Sequence, residues 1–172
     1  MSTTFRPILG SSCARATSAV EMRYRIDRPI RGRRGARIIA LDAGADAIVT
    51  RISRNPWGHA HFLTLAGPVA DVSGLGSDSV ALRDTAGAPS SLLAELDDAD
   101  VVIMVATTGS DAAAATIVGA ACTVRAIMTA GLVIGERATV NATVAAIRPH
   151  ARVLMVSGDE QDVMDVLSAL RA

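Results

Sequence analysis

The sequence predicts a single α/β domain built on a mainly parallel sheet, with helices on both of its faces. Three observations carry that prediction. Short, continuous apolar runs of strand length recur along the chain, the clearest being Val101 to Val105, and such runs are what a parallel sheet covered on both faces requires. Between them lie segments whose apolar residues recur at helical spacing. The alternation of the two predicts right-handed crossovers from each strand through a helix to the next. At 172 residues the chain has the length of one ordinary domain, enough to bury roughly 70% of the surface its unfolded form exposes.

Taken in order, residues 1–36 form an Arg-rich N-terminal extension. Within it Val20, Met22, Tyr24 and Ile26 alternate with Glu21, Arg23, Arg25 and Asp27, the period of a half-buried strand over 20–27. Pro29, Gly32 and Gly35 then punctuate the chain, and the domain proper spans 37–172. Arg37 to Leu41 reads as a buried strand. Ala45, Ile48, Val49 and Ile52 give a helix from Ala45 to Arg54, stopped by Asn55-Pro56. His61 to Leu65 returns as a strand. Ala66 to Ser91, rich in Gly, Ser, Asp and Pro, is the largest irregular region, with a short strand around Val80 to Leu82. Ser91 to Leu96 reads as a helix, Val101 to Val105 as a strand, Asp111 to Arg125 as an alanine-rich helix and Ala126 to Ile134 as a strand. Asn141 to Arg148 is a helix stopped by Pro149, Arg152 to Val156 a strand, and Asp159 to Arg171 the closing helix.

Composition narrows the chemistry. Half the residues are apolar, yet the only aromatics are Phe5, Tyr24, Trp57 and Phe62, so the core is aliphatic. Every basic side chain is Arg; with no Lys, neither a Schiff base nor a P-loop lysine is available. The first 37 residues carry nine Arg against Glu21 and Asp27, and the rest carries eight Arg against fifteen acids. This basic front neutralises an acidic body or tethers it to an anionic polymer, surface or partner. Nucleic acid is the disfavoured partner, since only Phe5 and Tyr24 offer stacking and no module signature is present. Cys13 and Cys122 show no metal-ligand or disulfide spacing, which fits a reducing, cytoplasmic setting. No metal is assigned. The apolar stretch Ala112 to Val124 is too short for a transmembrane span.

In sheets of this kind ligands sit beyond the carboxyl ends of the strands, which singles out three turns. Asp42-Ala43-Gly44-Ala45-Asp46 follows the first strand, and Asp42 there caps the helix or holds a ribose or metal. Thr107-Thr108-Gly109-Ser110-Asp111 leads into the alanine-rich helix, whose free N–H groups bind a phosphate or carboxylate unless Thr108 or Ser110 merely caps them. Asp111 favours the helix but repels an anion. Ser157-Gly158-Asp159-Glu160 spells a capping box, with Glu160 reaching back to Ser157. Gly74-Leu75-Gly76 starts a dinucleotide-like fingerprint that Ser79 breaks. His59 and His61 are a surface pair without a third metal ligand, and Cys122 is a small core residue.

The order of these segments resembles the nucleotide-binding half of the tubulin and FtsZ family. Arg37 to Leu65 resembles that family's first strand, glycine loop, helix and second strand, including Ala47-Ile48-Val49-Thr50-Arg51-Ile52. Leu96 to Val102 resembles the acidic lead-in to the strand before its signature loop, and Ala145 to Gly158 its next helix and strand. Ala106 to Ala112 would stand in the place of the phosphate loop, but its several glycines are reduced to Gly109 and the first loop keeps Gly44. The chain shows no counterpart of the long core helix or activation domain, so polymerisation-coupled hydrolysis is not implied. A generic Rossmann-like three-layer domain shows the same order.

The resemblance and its departures together imply a degenerate nucleotide-binding-type domain acting mainly through association with itself or a protein partner. The alternative is a small enzyme or sensor that holds an anionic metabolite or nucleotide at Asp42, Gly44, Thr107, Thr108, Gly109, Ser110, Asp111, Ser157 and Gly158. No reaction and no cofactor is assigned.

Overall fold

A computed structural model of the chain describes residues 35–67, 80–109, 112–170 and 172. The strand expected at 20–27, the Gly74-Leu75-Gly76 stretch, Ser110 and Asp111 lie outside these. The elements are β1 (Ala36–Ala40), α1 (Ala43–Ile52), β2 (His61–Leu65), β3 (Ala81–Asp84), β4 (Pro89–Ser91), α2 (Leu92–Asp97), β5 (Val101–Ala106), α3 (Ala112–Val124), β6 (Met128–Ile134), α4 (Asn141–Ile147), a 3-10 turn (Arg148–His150), β7 (Val153–Ser157) and α5 (Gln161–Leu170).

The strands form one sheet in the order β4-β3-β2-β1-β5-β6-β7. The five from β2 to β7 are mutually parallel, while β3 runs antiparallel to β2 and β4 to β3. In chain order the parallel strands therefore lie 2-1-3-4-5, an order that reverses between β1 and β5 and opens a crevice at their carboxyl ends.

Strand side chains alternate between faces, and two cores result. Ile38, Ala40, Ile103, Val105, Leu132 and Ile134 pack with Ile48, Val49 and Ile52 of α1 and with Val163 and Leu167 of α5. On the other face Ile39, Leu63, Met104 and Val133 pack with Leu92 and Leu96 of α2, with α3 and with Ile147 of α4. β1 is buried along its whole length, as a central strand must be, whereas no residue of β7 at the sheet edge is fully buried.

Three local details differ from the sequence reading. The region read as irregular holds a hairpin, β3 and β4, whose turn is fixed by the Asp84 carboxylate accepting from the N–H groups of Ala86 (2.9 Å) and Ala88 (2.8 Å) and by Gly87 at φ +90°. Proline at the start of β4 suits an edge strand, which forgoes one N–H.

Ala126, expected to open β6, instead ends α3. Its φ of 54° is left-handed, and the Ile127 N–H reaches the Cys122 carbonyl (2.9 Å) while the Ala126 N–H reaches that of Thr123 (3.1 Å). This is the Schellman closure that glycine usually supplies.

At α5 the capping box does not form. The Asp159 carboxylate accepts from the Gln161 N–H (2.9 Å), the Ser157 hydroxyl donates to Asp162 and accepts from the Asp159 N–H (3.0 Å), and Glu160 turns away to pair with Arg51 of α1.

Among the described residues no helix is long and apolar enough to cross a membrane.

Candidate functional site

The crevice between β1 and β5 is where the topology would seat a ligand, and Asp42 governs it. Leaving β1 in extended conformation (φ −153°, ψ 170°), Asp42 caps α1 through Oδ1, which accepts from the Ala45 N–H at 2.8 Å. The same oxygen accepts from the Thr107 hydroxyl (2.6 Å), and Oδ2 accepts from the Thr107 N–H (2.6 Å). One carboxylate thus gathers donors from the helix start and from the loop after β5. The Thr107 carbonyl in turn accepts from the Thr143 hydroxyl of α4 (2.8 Å), which anchors the loop from the other side.

Gly44 makes this closeness possible. A Cβ on Gly44 would lie 2.5 Å from the Thr107 hydroxyl oxygen and 3.0 Å from its methyl carbon, inside any tolerable contact. At Gly109, by contrast, no described residue lies within 4 Å of the place its Cβ would take. Of the two glycines noted in the sequence, the first permits a close backbone approach and the second does not need one.

Beside Asp42 lies a cleft of about 350 Å³ lined by Ala40, Leu41, Asp42, Ala43, Asp46, Thr64, Leu65 and Gly67. Among the described residues its charged side chains are both carboxylates. The positive end of α1 is therefore already answered twice within its first turn, by Asp42 and Asp46.

The sequence-predicted residues do not all converge. Asp42, Gly44 and Thr107 meet directly. Thr108 lies close to Gly135, since a Cβ there would stand 3.9 Å from its methyl. Ser157 ends β7 and Gly158 follows it; β7 is separated from β5 by β6, about 10 Å from the Thr107 loop at ordinary strand spacing. Ser157 spends its hydroxyl on the α5 turn, and a Cβ on Gly158 would meet no described neighbour within 4 Å.

Sequence reasoning missed Thr143 and Gly135 at this end of the sheet. A Cβ on Gly135, at φ +152° just past β6, would lie 2.8 Å from a Val140 methyl; a glycine directly after an apolar strand run was the available signal.

A second polar cluster, also missed, lies at the opposite end of the strands. Arg37, its side chain 3% exposed, places Nε 2.9 Å from Glu95 Oε2 and donates from Nη2 to the Asp98 carbonyl (2.9 Å). His61 Nδ1 is 2.9 Å from the same carboxylate oxygen, and the Ser90 hydroxyl donates to the other (2.7 Å). Burial opposes ionisation of Glu95, but the hydrogen bonds from Ser90 and His61 and the nearby charges of His61 and Arg37 outweigh it and hold the carboxyl below its usual range.

A cleft of about 410 Å³ opens beside His61, Asp84, Ser90 and Glu95. Among the described residues no three His, Cys, Asp or Glu side chains are grouped to hold a metal. Cys122 is buried in α3, and burial pushes its thiol up to about 11 against the pull of Arg125.

Compared with known proteins, the chain matches no family model, no curated protein and no solved structure.

Proposed function

We propose that the chain is a degenerate nucleotide-binding-type domain, of Rossmann-like three-layer design and akin to the nucleotide-binding half of the tubulin and FtsZ family, that works mainly through protein association. The observation that carries this reading is the Asp42 carboxylate. A phosphate at a strand-end crevice is held by backbone N–H groups at a helix start and an adjoining loop. Here the Ala45 and Thr107 N–H groups, with the Thr107 hydroxyl, already serve an internal anion. An incoming phosphate would have to displace a covalently tethered carboxylate and then face Asp46 in the same turn. Neither step is favourable without a cation.

The competing reading, an enzyme or sensor for a small anionic metabolite, draws on the same crevice and is tested with it. The experiment is a thermal-shift titration of the intact chain with GTP, ATP, NAD, NADP, coenzyme A and inorganic phosphate, each with and without magnesium. The expected result is no shift at saturating concentrations, because only a ligand that prefers the folded state raises the melting temperature. A saturable shift with any of them overturns the degenerate reading in favour of the metabolite one.

A further inference from the structure

β7 is an apolar strand at the edge of the sheet. Among the described residues it pairs with β6 alone. Its sequence, Val153-Leu154-Met155-Val156-Ser157, carries no charge or proline, the usual devices that blunt an edge. Val153 is 60% exposed, and Met128, on the same sheet face of the neighbouring strand, is 56% exposed.

This exposure has a cause in the fold. α5 follows β7 but runs back over the sheet to α1, where Glu160 meets Arg51, Met164 meets Asn55 (3.4 Å), and the Ala172 carbonyl meets the Gly58 N–H (3.1 Å). The helix that leaves β7 therefore packs over β1, β5 and β6 and against α1, and Val153 at the start of β7 stays exposed.

The backbone of β7 sets which groups are available. The Gly135 N–H donates to the Ser157 carbonyl (2.8 Å), and Ser157 stands opposite Ile134, so the polar backbone groups of Ser157 point at β6. Alternation along the strand turns those of Leu154 and Val156 to the open side.

We infer that two copies of this chain associate through β7, antiparallel and across a two-fold axis at Met155. This deepens the association reading above and rests on it, naming the surface and the partner. A two-fold axis perpendicular to the sheet keeps each side chain on its own face, so residues of like parity stand opposite each other. Centring the axis on Met155 matches all of β7 with itself: Leu154 faces Val156 of the second copy and exchanges both backbone hydrogen bonds with it, and Val153 faces Ser157.

Charge selects a second copy in this direction. Arg152 precedes the strand and Asp159 and Glu160 follow it, so the antiparallel arrangement brings Arg152 of each copy opposite Gly158 and beside Asp159 of the other. A parallel arrangement would set like charges together. Two sheets then become one, as closed two-fold assemblies allow.

The test is sedimentation of the intact chain at micromolar concentration with oxidative cross-linking of single-cysteine variants. The expected species has twice the 17.7 kDa chain mass. In a background with Cys13→Ser and Cys122→Ala, Met155→Cys forms a disulfide between copies under mild oxidant, because a non-hydrogen-bonded antiparallel pair holds its Cα atoms about 4.5 Å apart. Val153→Cys does not, since the two copies of that position lie roughly 13 Å apart. Arg152→Glu weakens the dimer roughly ten-fold, and adding Asp159→Arg restores it, with circular dichroism confirming that each variant is folded.

A monomer at every concentration overturns the proposal, as does a dimer that cross-links through Val153→Cys and not Met155→Cys. Failure of the underlying reading is separately visible, as a nucleotide-induced rise in melting temperature.

Discussion

At the scale of single residues, Asp42, Gly44 and Thr107 form one unit. The carboxylate makes three short hydrogen bonds only because Gly44 lets the loop after β5 come so near. Gly44→Ala should therefore destabilise the fold by about 1–3 kcal/mol, the usual cost of forcing an atom into a packed site. Thr107→Ala, by removing the atoms it strikes, should recover part of that loss in the double variant. Urea unfolding of the four proteins checks this, and strict additivity would show that the two residues do not press on one another.

Glu95 supplies the pH dependence at this scale. Its folded pKa lies below its ordinary 4.5, so its contribution to stability is present above that value and is lost as pH falls through the folded value. The stability gap between the parent and Glu95→Gln should hold steady near neutrality and shrink on acidification below about pH 4.5. A gap that stays constant down to about pH 3 would show that the carboxylate's charge is not what Arg37 uses.

At the scale of elements, helix ends decide more than helix interiors. α3 is an alanine-rich helix, needing little from its neighbours to form, but it stops on an alanine held at φ 54°. Left-handed backbone costs an ordinary L-residue roughly 1–2 kcal/mol, so Ala126→Gly should stabilise the protein by about 0.5–1 kcal/mol, read as a raised thermal midpoint. A lowered midpoint would mean that the Ala126 methyl contributes packing worth more than the strain.

The start of α5 shows the same principle in another form. The sequence offered a reciprocal cap between Ser157 and Glu160, but Arg51, more than a hundred residues earlier, claims Glu160 and the cap passes to Asp159. The outcome was decided by a partner that local sequence does not contain.

At the scale of the molecule, a sheet buried at its centre and open at its edges should be unevenly protected. β1 and β5 lie between other strands and under helices on both faces, whereas β4 and β7 end the sheet. Amide hydrogen exchange should accordingly be slowest in β1 and β5 and fastest among the strands in β4, with β7 gaining protection as protein concentration rises if it is an interface. Exchange in β1 as fast as in β4 would contradict the central placement of β1. The two polar clusters, at Asp42 and at Glu95, sit at opposite ends of the sheet's central strands, so substitutions in one should leave the other's effects additive.

Strand and helix periods and helix breakers act over a few residues, so the α/β class, the parallel centre of the sheet and the position of nearly every element were legible along the chain. His61 to Leu65 is observed as read, and the helices from Ala43, Leu92, Ala112, Asn141 and Gln161 fall within a residue or two of the expected starts. The sequence also placed Asp42, Gly44 and Thr107 at strand ends.

What those residues do depends on contacts made across the fold. The sequence left Asp42 open between capping and ligand holding; its link to Thr107, 65 positions away, depends on β5 inserting beside β1. The salt bridge between Arg37 and Glu95, the exposure of β7 and the separation of Ser157 from the Thr107 loop follow from strand order in the same way. Strand order is set by which long-range packing buries the most apolar surface, a property of the whole chain that no local period records.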